Sequence, residues 1–230
     1  MSEVGDPLRR IAARASEQDP TSWFEQLYAA ARTGSVTVPW DRRTAHPLLT
    51  EWTSRHAVDG RGRTAVVVGC GLGSDAEHLA GRGFATTAFD VSPTAVATAQ
   101  ERHPSSTVHY TIADLLALPR DWRSAYDLVV EALTVQSLPP PLHGRAIEAV
   151  CSLVAPDGTL VVVAGAHEEG EELTGPPWPL TRGEIDLFST GELEATSIEV
   201  LPATDGGPGG RRWRVELRRP AEAGARDGAR

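Results

Sequence analysis

The stretch TAVVVGCGLGSDAEHL, residues Thr64 to Leu79, decides the fold of this chain. The run from Ala65 to Val68 is apolar and mostly β-branched, which is typical of a parallel strand covered on both faces. Three alternating glycines follow within residues 69–73. Glycine lacks a Cβ atom and tolerates positive φ, so this turn can bend sharply and approach a ligand closely. The stretch therefore predicts a strand, a ligand-binding turn and a helix capped by Ser74 and Asp75.

Two acidic residues follow apolar runs further along the chain. Asp90 ends the run from Phe84 to Phe89, where a carboxylate can accept hydrogen bonds from both hydroxyl groups of a ribose. Asp114 follows the run from Tyr110 to Ala113, at a position suited to the amino group of adenine. An enzyme that binds a nicotinamide dinucleotide would have its third glycine at position 74, which is Ser74 here. It would also need a proton donor such as a Tyr-x-x-x-Lys pair, and the chain has no lysine. These features favour a different adenosine-containing cofactor.

These motifs, in this order, resemble those of class I S-adenosylmethionine-dependent methyltransferases. GCGLG at 69–73 resembles the first motif, Asp90 the ribose acid and Asp114 the adenine-side acid. YDLVVEALTVQSL, Tyr126 to Leu138, resembles the fourth strand and its loop, and APDGTLVVV, Ala155 to Val163, resembles the turn and fifth strand. The resemblance implies an α/β fold, a doubly wound Rossmann-like sheet that is mostly parallel with an antiparallel final strand. It also implies S-adenosylmethionine as the cofactor.

Length and composition limit the class of protein. A chain of 230 residues is long enough for one domain with a substantial core. Its net charge of -9 and pI near 5.3 do not fit a nucleic-acid-binding surface. No apolar run is long enough to span a membrane, and the N-terminus has no secretory segment, so we expect a cytoplasmic protein. Cys70 and Cys151 show no metal-ligand spacing, so we expect two buried thiols and no metal site. A reactive thiolate at Cys70, beside a helix N-terminus, is the alternative.

The chain divides into three predicted parts. These are an N-terminal helical arm at 1–60, the cofactor-binding methyltransferase domain at 61–219, and a disordered tail at 220–230. We expect two helices in the arm, at 8–15 and 21–34. Within the domain, segment 165–188 is acidic and interrupted by prolines, which predicts a mobile insertion outside the sheet. Strands at 195–201 and 211–218 are expected to form the final antiparallel pair.

A second resemblance lies in the arm. VPWDRRTAHPLLTEW, Val38 to Trp52, resembles the N-terminal region of thiopurine and halide/thiol methyltransferases. In that group the arm folds over the cofactor and forms one wall of the substrate site, which implies that Trp23 and Leu27 lie near the cofactor and Trp40 near the acceptor. The face of an aromatic ring attracts a cation such as a sulfonium. The alternative is that Trp23 and Trp40 only bury apolar area.

The predicted site has a cofactor part and an acceptor part. The predicted cofactor residues are Trp23, Leu27, Trp40, Gly69, Cys70, Gly71, Gly73, Asp90, Val91, Ala113, Asp114, Leu115 and Glu131. The predicted acceptor residues are Trp40, Leu133 and Trp178. Glu131 and His46 are the candidate catalytic bases, and His167 is a further candidate base for an oxygen acceptor. The alternative for Glu131 is a capping or salt-bridged residue without chemistry. In the thiopurine group an arginine follows the acid at this position, whereas this chain has Ala132, which does not favour a thiopurine acceptor.

Methyl transfer from a sulfonium is an in-line displacement, so positioning of the acceptor and exclusion of water supply most of the catalysis. A thiol has a pKa of about 8.5 and needs no strong base. The sequence therefore favours S-methylation of a small-molecule thiol, with no nucleic-acid or membrane partner. The alternatives are an O- or N-methyltransferase of a secondary metabolite, which would need a base, and a non-catalytic cofactor-binding module.

Overall fold

The computed structural model describes residue 11 and residues 19–170, 175–205 and 210–221. The strands are β1 (Thr64–Val68), β2 (Ala85–Asp90), β3 (His109–Ile112), β4 (Tyr126–Ala132), β5 (Val154–Gly165), β6 (Glu194–Pro202) and β7 (Arg211–Arg218). The helices are α1 (Ser22–Arg32), α2 (Pro47–Arg55), α3 (Ser74–Ala80), α4 (Pro93–Arg102), α5 (His143–Ser152) and α6 (Arg182–Leu187). No helix within these ranges is long and apolar enough to cross a membrane.

The strands form one sheet in the order β3-β2-β1-β4-β5-β7-β6. The pairs among β1 to β5 are parallel, and β7 lies antiparallel between β5 and β6. The expected doubly wound α/β fold with an antiparallel end is therefore confirmed. At the carboxyl edge, Val68 pairs with Phe89 on one side and with Glu131 on the other. The ends of β1, β2 and β4 thus meet at one place, beside the glycine turn.

The central strand β1 is covered on both faces, as its unbroken apolar run predicts. Val66 and Val68 belong to the core on the side of α5 and α6, whereas Ala65 and Val67 belong to the core on the side of α2, α3 and α4. Each of these four side chains is at most 2% exposed. Burial on both faces holds β1 firmly, so the turn that follows it has a fixed position.

The N-terminal arm is clamped onto α4 at both ends of that helix. Glu25 of α1 accepts hydrogen bonds from the Ser92 hydroxyl (2.5 Å) and the Thr94 backbone N–H (3.1 Å) at its start. At its end, Arg102 donates to both carboxylate oxygens of Asp41 at 2.9 and 2.8 Å. These contacts place α1 and the loop after it over the carboxyl edge of the sheet. Apart from Ile11, the helix expected at 8–15 lies outside the described residues, as do residues 222–230 of the expected tail.

The segment expected to be a mobile insertion is hydrogen-bonded to the rest of the chain at several described positions; its residues 171–174 are not described. Leu180 donates to the carbonyl of Gly165 at 2.9 Å, and His167 donates to the carbonyl of Leu180 at 3.1 Å. The Trp178 N–H donates to the carbonyl of Gln136 at 2.7 Å. Backbone hydrogen bonds therefore join this segment to the end of β5 and to the loop after β4, and its mobility stays a prediction.

Candidate functional site

A cavity of about 780 Å³ opens where β1, β2 and β4 end. Its volume falls in the range of small-molecule and cofactor sites. Its wall includes most of the residues predicted from sequence to form the site: Trp23, Trp40, Gly69, Cys70, Gly71, Asp90, Val91, Ala113, Asp114, Leu115 and Leu133. The segments that supply them come from the arm, the glycine turn and the ends of three strands.

The glycine turn is shaped for close approach. Gly69 and Gly71 both have left-handed backbones, with φ of 59° and 52°, and both line the cavity. A Cβ atom at Gly71 would lie 2.8 Å from the hydroxyl oxygen of Tyr28, which crosses above the turn from α1. A side chain at this position would therefore displace Tyr28 or fill the cradle.

The turn enters α3 differently from the prediction. Gly73 is the N-cap residue, with φ of 92°, and no side chain caps the helix. Asp75 instead accepts a hydrogen bond from the backbone N–H of His46 at 2.7 Å. The prediction that Ser74 and Asp75 cap α3 is therefore wrong. Gly73 itself lies under the Tyr110 ring and does not line the cavity.

Asp90 is buried at the end of β2, with its carboxylate reaching the cavity. Its Oδ2 accepts the Gly71 N–H at 2.9 Å, and its Oδ1 accepts the Ser92 N–H at 2.9 Å. Burial raises its pKa from 3.8 to about 6, although these hydrogen bonds oppose the rise. The carboxylate thus fixes the glycine turn and offers its remaining lone pairs to a ligand.

Asp114 follows β3 on the same side of the cavity. Its Oδ1 accepts the N–H of Leu116 at 2.8 Å, and the N–H of Ala113 donates to the carbonyl of Asp90 at 3.1 Å. These bonds bring the two predicted acids to one wall, with Val91 between them. An adenosine lying along this wall would meet one acid at its ribose and the other at its base.

Three aromatic residues of the arm form a wall of the cavity beside the glycine turn. Trp40 donates from Nε1 to the hydroxyl of Tyr28 at 2.8 Å. Its ring lies edge-to-face with Trp23 and Tyr28, at centroid distances of 6.2 and 6.3 Å. Trp23, Tyr28 and Trp40 all line the cavity, whereas Leu27 is fully buried behind them and does not. Leu27 therefore packs the arm and lies outside the predicted contact with a cofactor.

Glu131 does not reach the cavity surface. Its side chain is fully buried, and its Oε1 accepts the backbone N–H groups of Thr134 and Val135 at 2.7 and 3.0 Å. Its Oε2 is buried without a partner among the described residues, and burial raises its pKa to about 7. The loop after β4 therefore encloses the carboxylate. The placement contradicts a base at the cavity and matches the alternative reading of a residue that caps the loop.

His46 is also turned away from the cavity. Its Nδ1 accepts the N–H of Leu48 at 3.2 Å, so the remaining proton is on Nε2, which lies 3.1 Å from Asp205 Oδ2. Burial, together with the charge of Arg42, lowers its pKa to about 4. His46 is 1% exposed and belongs to a buried cluster in which Arg212 also donates to Asp205. A neutral, enclosed imidazole of this kind does not match the predicted catalytic base.

The two other predicted acceptor residues differ in placement. Leu133 lines the cavity with a left-handed backbone, φ 66°, and its N–H donates to the carbonyl of Val163 at 2.8 Å. Trp178 packs on Gly175 and does not line the cavity, although prolines 176, 177 and 179 around it do. The prediction of a lid tryptophan is therefore not matched by the structure.

Cys70 lines the cavity as a buried residue. Burial, together with the negative charge of Asp90, raises the pKa of its thiol well above the ordinary value. The thiol therefore stays protonated at neutral pH, which agrees with the expectation of a buried thiol and not with a reactive thiolate.

Several cavity residues gave no sequence signal. They are Tyr28, Arg42, Thr44, Gln136 and the hairpin residues Asp205, Arg211 and Arg212. Tyr28 stands on the same helix as Trp23, so the helical pattern could have indicated it. The others come from loops that meet only in the folded chain.

Known proteins similar to this chain include methyltransferases. Residues 65–158 match the family described as a methyltransferase domain. The chain is 26% identical over 173 residues to thiocyanate methyltransferase 1 from Arabidopsis thaliana, which covers 71% of this chain and 72% of that protein. It is 31% identical over 128 residues to ubiquinone biosynthesis O-methyltransferase from Azotobacter vinelandii, where the match covers 52% of this chain and about half, 54%, of that protein.

Solved structures support the fold. One solved structure comes from work on the conversion of a disulfide bond into a thioacetal group during echinomycin biosynthesis. It matches this chain with a TM-score of 0.68 at 20% identity, and the match covers 87% of this chain and 94% of that chain. The 1,6-didemethyltoxoflavin-N1-methyltransferase from Burkholderia thailandensis, solved with S-adenosylhomocysteine, has a TM-score of 0.64 at 16% identity, with coverages of 85% and 86%. At these identities the likeness concerns the fold alone.

Proposed function

The chain is an S-adenosylmethionine-dependent methyltransferase with the class I fold, and we propose that it transfers the methyl group to the sulfur of a small thiol. Two similar proteins are named as methyltransferases: one is a thiocyanate methyltransferase and the other is an O-methyltransferase of ubiquinone biosynthesis. Both names describe small-molecule acceptors. The thiol acceptor is the finer part of the proposal and is argued from the site.

The cavity residues fit S-adenosylmethionine. Asp90 and Asp114 offer carboxylate oxygens on one wall for the ribose and the adenine. Gly69 and Gly71 line the cavity without side chains, so the chain that bears the sulfur can approach the backbone of the turn. Trp40 and Trp23 both line the cavity, and aromatic rings attract a sulfonium. When bound, S-adenosylmethionine supplies an electrophilic methyl group on its positive sulfur.

The placement of the two predicted bases carries the thiol proposal. Glu131 is enclosed by the loop that it caps, and His46 is neutral and paired with Asp205. Neither lines the cavity. A thiol with a pKa of about 8.5 is partly ionised at neutral pH and is strongly nucleophilic, so it needs no residue to remove its proton. The protein then contributes orientation and exclusion of water, which suits a wall made of Trp40, Leu133 and prolines.

An oxygen or nitrogen acceptor is the second candidate, because His167 lines the cavity. An alcohol or phenol must lose its proton during transfer, and an imidazole within reach can take it. His167 would then be the base. A thiol acceptor, in contrast, makes His167 unimportant for turnover.

A matched pair of acceptors tests the proposal. We would incubate the purified protein with S-adenosylmethionine and either thiophenol or phenol, and follow the methylated product and S-adenosylhomocysteine by mass spectrometry. We expect thioanisole to form with equimolar S-adenosylhomocysteine, and His167→Gln to keep most of the rate. Faster methylation of phenol, with a large loss in His167→Gln, would support the second candidate instead. Cofactor binding without product across a panel of thiols, phenols and amines would support a non-catalytic module.

A further inference from the structure

One side-chain amide on the cavity wall keeps a pair of hydrogen-bond donors for a ligand. Gln136 lies in the short turn after β4, lines the cavity and is 6% exposed. Its Oε1 accepts the backbone N–H of Gly165, at the end of β5. Because that partner is a donor, the amide atom that faces it is the oxygen, and Nε2 carries the two N–H groups. Within the described chain, Nε2 donates to no other residue.

The Nε2 group of Gln136 is open to the cavity. In the part of the chain that the structure describes, the enclosed polar side-chain atoms without a partner are Arg42 Nε and Glu131 Oε2. Nε2 of Gln136 has no partner and is not one of these enclosed atoms, and its residue belongs to the cavity wall. A ligand in the cavity can therefore accept its hydrogen bonds.

The surrounding backbone holds this amide in one place. The Trp178 N–H donates to the carbonyl of Gln136 at 2.7 Å, and the neighbouring Val135 N–H donates to Glu131 at 3.0 Å. A Cβ atom at position 165 would lie 3.1 Å from Gln136 Oε1, so the amide packs directly on the backbone of β5. A donor held in this way loses little conformational freedom when it binds a ligand.

The strand order places Gln136 away from the nucleoside wall. Asp90 and Asp114 belong to the ends of β2 and β3, on one side of β1 and the glycine turn. Gln136 joins the loop after β4 to the end of β5, on the other side of β1. A cofactor with its adenosine along the first wall and its sulfur beside the glycine turn leaves this second side for the acceptor.

The wall on this second side favours an uncharged group. The cavity residues of the segments that Gln136 joins are mainly apolar: Leu133, Leu138, Ala166, Pro176, Pro177 and Pro179. The two cavity arginines of the hairpin, Arg211 and Arg212, each pair with an acid, at 2.6 and 2.9 Å. A carboxylate moved from water to this wall would lose its hydration without gaining a cation. A carbonyl oxygen needs only the hydrogen bonds that Nε2 offers.

We propose that Gln136 selects the acceptor, and that its Nε2 group donates to a carbonyl oxygen carried by the acceptor thiol. This inference rests on the proposed function and narrows it to thiols that also bear a carbonyl group. The amide orients the acceptor and takes no proton from it. Gln136 is therefore a specificity-determining residue and not a base.

Paired thiols of similar shape test this selection. Acetylthiophenols carry a carbonyl oxygen where isopropylthiophenols carry a methyl group, and the ortho, meta and para isomers vary its position. We would measure kcat/KM for each pair with the wild type, Gln136→Glu, Gln136→Leu and the control Gln100→Glu. Gln100, on α4, is exposed and does not line the cavity. Within one pair, the difference in thiol pKa is the same for every protein and cancels when their preferences are compared.

The two substitutions at Gln136 remove the donor in different ways. Gln136→Glu keeps an oxygen for the Gly165 N–H and replaces Nε2 with a second oxygen. Gln136→Leu removes the amide without adding a charge. Melting curves and the affinity for S-adenosylhomocysteine verify that each variant folds around the cavity, and either folded variant is sufficient for the comparison.

The wild type should prefer the acetyl thiol over the isopropyl thiol in at least one of the three pairs. Gln136→Leu should lower that preference about three- to tenfold, the factor that corresponds to one neutral hydrogen bond. Gln136→Glu should lower it by at least about tenfold, because its carboxylate also repels the carbonyl oxygen. The control Gln100→Glu should leave the preference unchanged.

Three results would overturn the inference. Equal losses for both members of every pair would mean that Gln136 only supports the shape of the cavity. An unchanged preference in the folded Gln136 variants would mean that the amide does not contact the acceptor. Both of these results leave the proposed function intact. A wild type that binds S-adenosylhomocysteine but methylates none of these thiols would overturn the thiol acceptor, and this inference with it.

Discussion

We expect the affinity for S-adenosylhomocysteine to depend on the ionisation of Asp90. Its carboxylate already accepts one backbone N–H on each oxygen, at 2.9 Å, so ribose hydroxyl groups must use the remaining lone pairs. Protonation converts one oxygen into a donor and removes part of that acceptor capacity. Because burial places the pKa of Asp90 at about 6, the ionised form dominates at pH 7 and is the minor form at pH 5.

The size of the effect follows from this pKa and from hydrogen-bond energies. At pH 5, a group with a pKa of about 6 is ionised in roughly one molecule in ten, so affinity should fall about tenfold from its value at pH 7. Asp90→Asn removes the charge, and hydrogen bonds to charged groups contribute about 1.5–3 kcal/mol. That loss corresponds to an affinity about 10- to 150-fold weaker at pH 7.

Calorimetric titration of both proteins between pH 5 and 7 tests the reasoning. The wild type should lose affinity as the pH falls, and Asp90→Asn should be weaker but nearly independent of pH. Other groups titrate in this window, so the difference between the two profiles is the quantity that reports Asp90. Equal slopes in both proteins, or wild-type affinity in Asp90→Asn, would refute the assignment of the ribose to this carboxylate.

Three further predictions follow from the placement of single residues. Glu131→Gln should keep turnover, because its amide oxygen can still accept hydrogen bonds from the loop; steady-state kinetics measures this. Glu131→Ala should lower the free energy of unfolding by at least ~2 kcal/mol, because it leaves two buried N–H groups unpaired. Urea denaturation measures that loss. The His46 pKa lies below its unfolded value of 6.5, at about 4, so the unfolded chain binds the extra proton and stability should fall by about 3 kcal/mol as the pH drops from 6.5 to 4. His46→Asn should flatten that slope in denaturation curves. Gly71→Ala should weaken cofactor binding and lower the free energy of unfolding, because its Cβ would collide with the Tyr28 hydroxyl. The control Gly144→Ala, on the open face of α5, should raise the free energy of unfolding by about 0.5–1 kcal/mol.

Each of these predictions has a contrary outcome. A Glu131→Gln variant that folds but loses turnover, with a shifted pH profile, would restore Glu131 as a base. An unchanged slope in His46→Asn would assign the acid sensitivity to another group. Normal cofactor affinity in a folded Gly71→Ala variant would remove the glycine turn from the site.

The parts of the site that the sequence predicted are those fixed by local structure. A buried parallel strand needs an unbroken apolar run, and a sharp turn after it needs glycine, so the position of the turn could be predicted from residues 64–73. Asp90 and Asp114 follow their strands directly, and the carboxyl ends of parallel strands meet at one edge. Their convergence on the cavity required only that the sheet be parallel.

The errors concern side chains whose surroundings come from distant segments. Glu131 does end its strand, but the loop back through Thr134 and Val135 encloses its carboxylate. His46 begins α2 as predicted, yet its ring is held by Asp205, 159 residues away. Trp178 is drawn back to the sheet by its bond to Gln136. No periodic pattern within a single segment reports such contacts.

The fold class, the glycine turn and the two strand-end acids could be predicted from the chain alone, because hydrogen bonding and burial within each strand and turn dictate them. The set of polar side chains that face the cavity depends on how distant segments pack together. Arg42 and Asp75 line the same cavity because the arm folds over the carboxyl edge and is held there by Glu25 and Asp41. That closure depends on contacts between segments far apart in the chain, and those contacts determine which charges remain for a ligand.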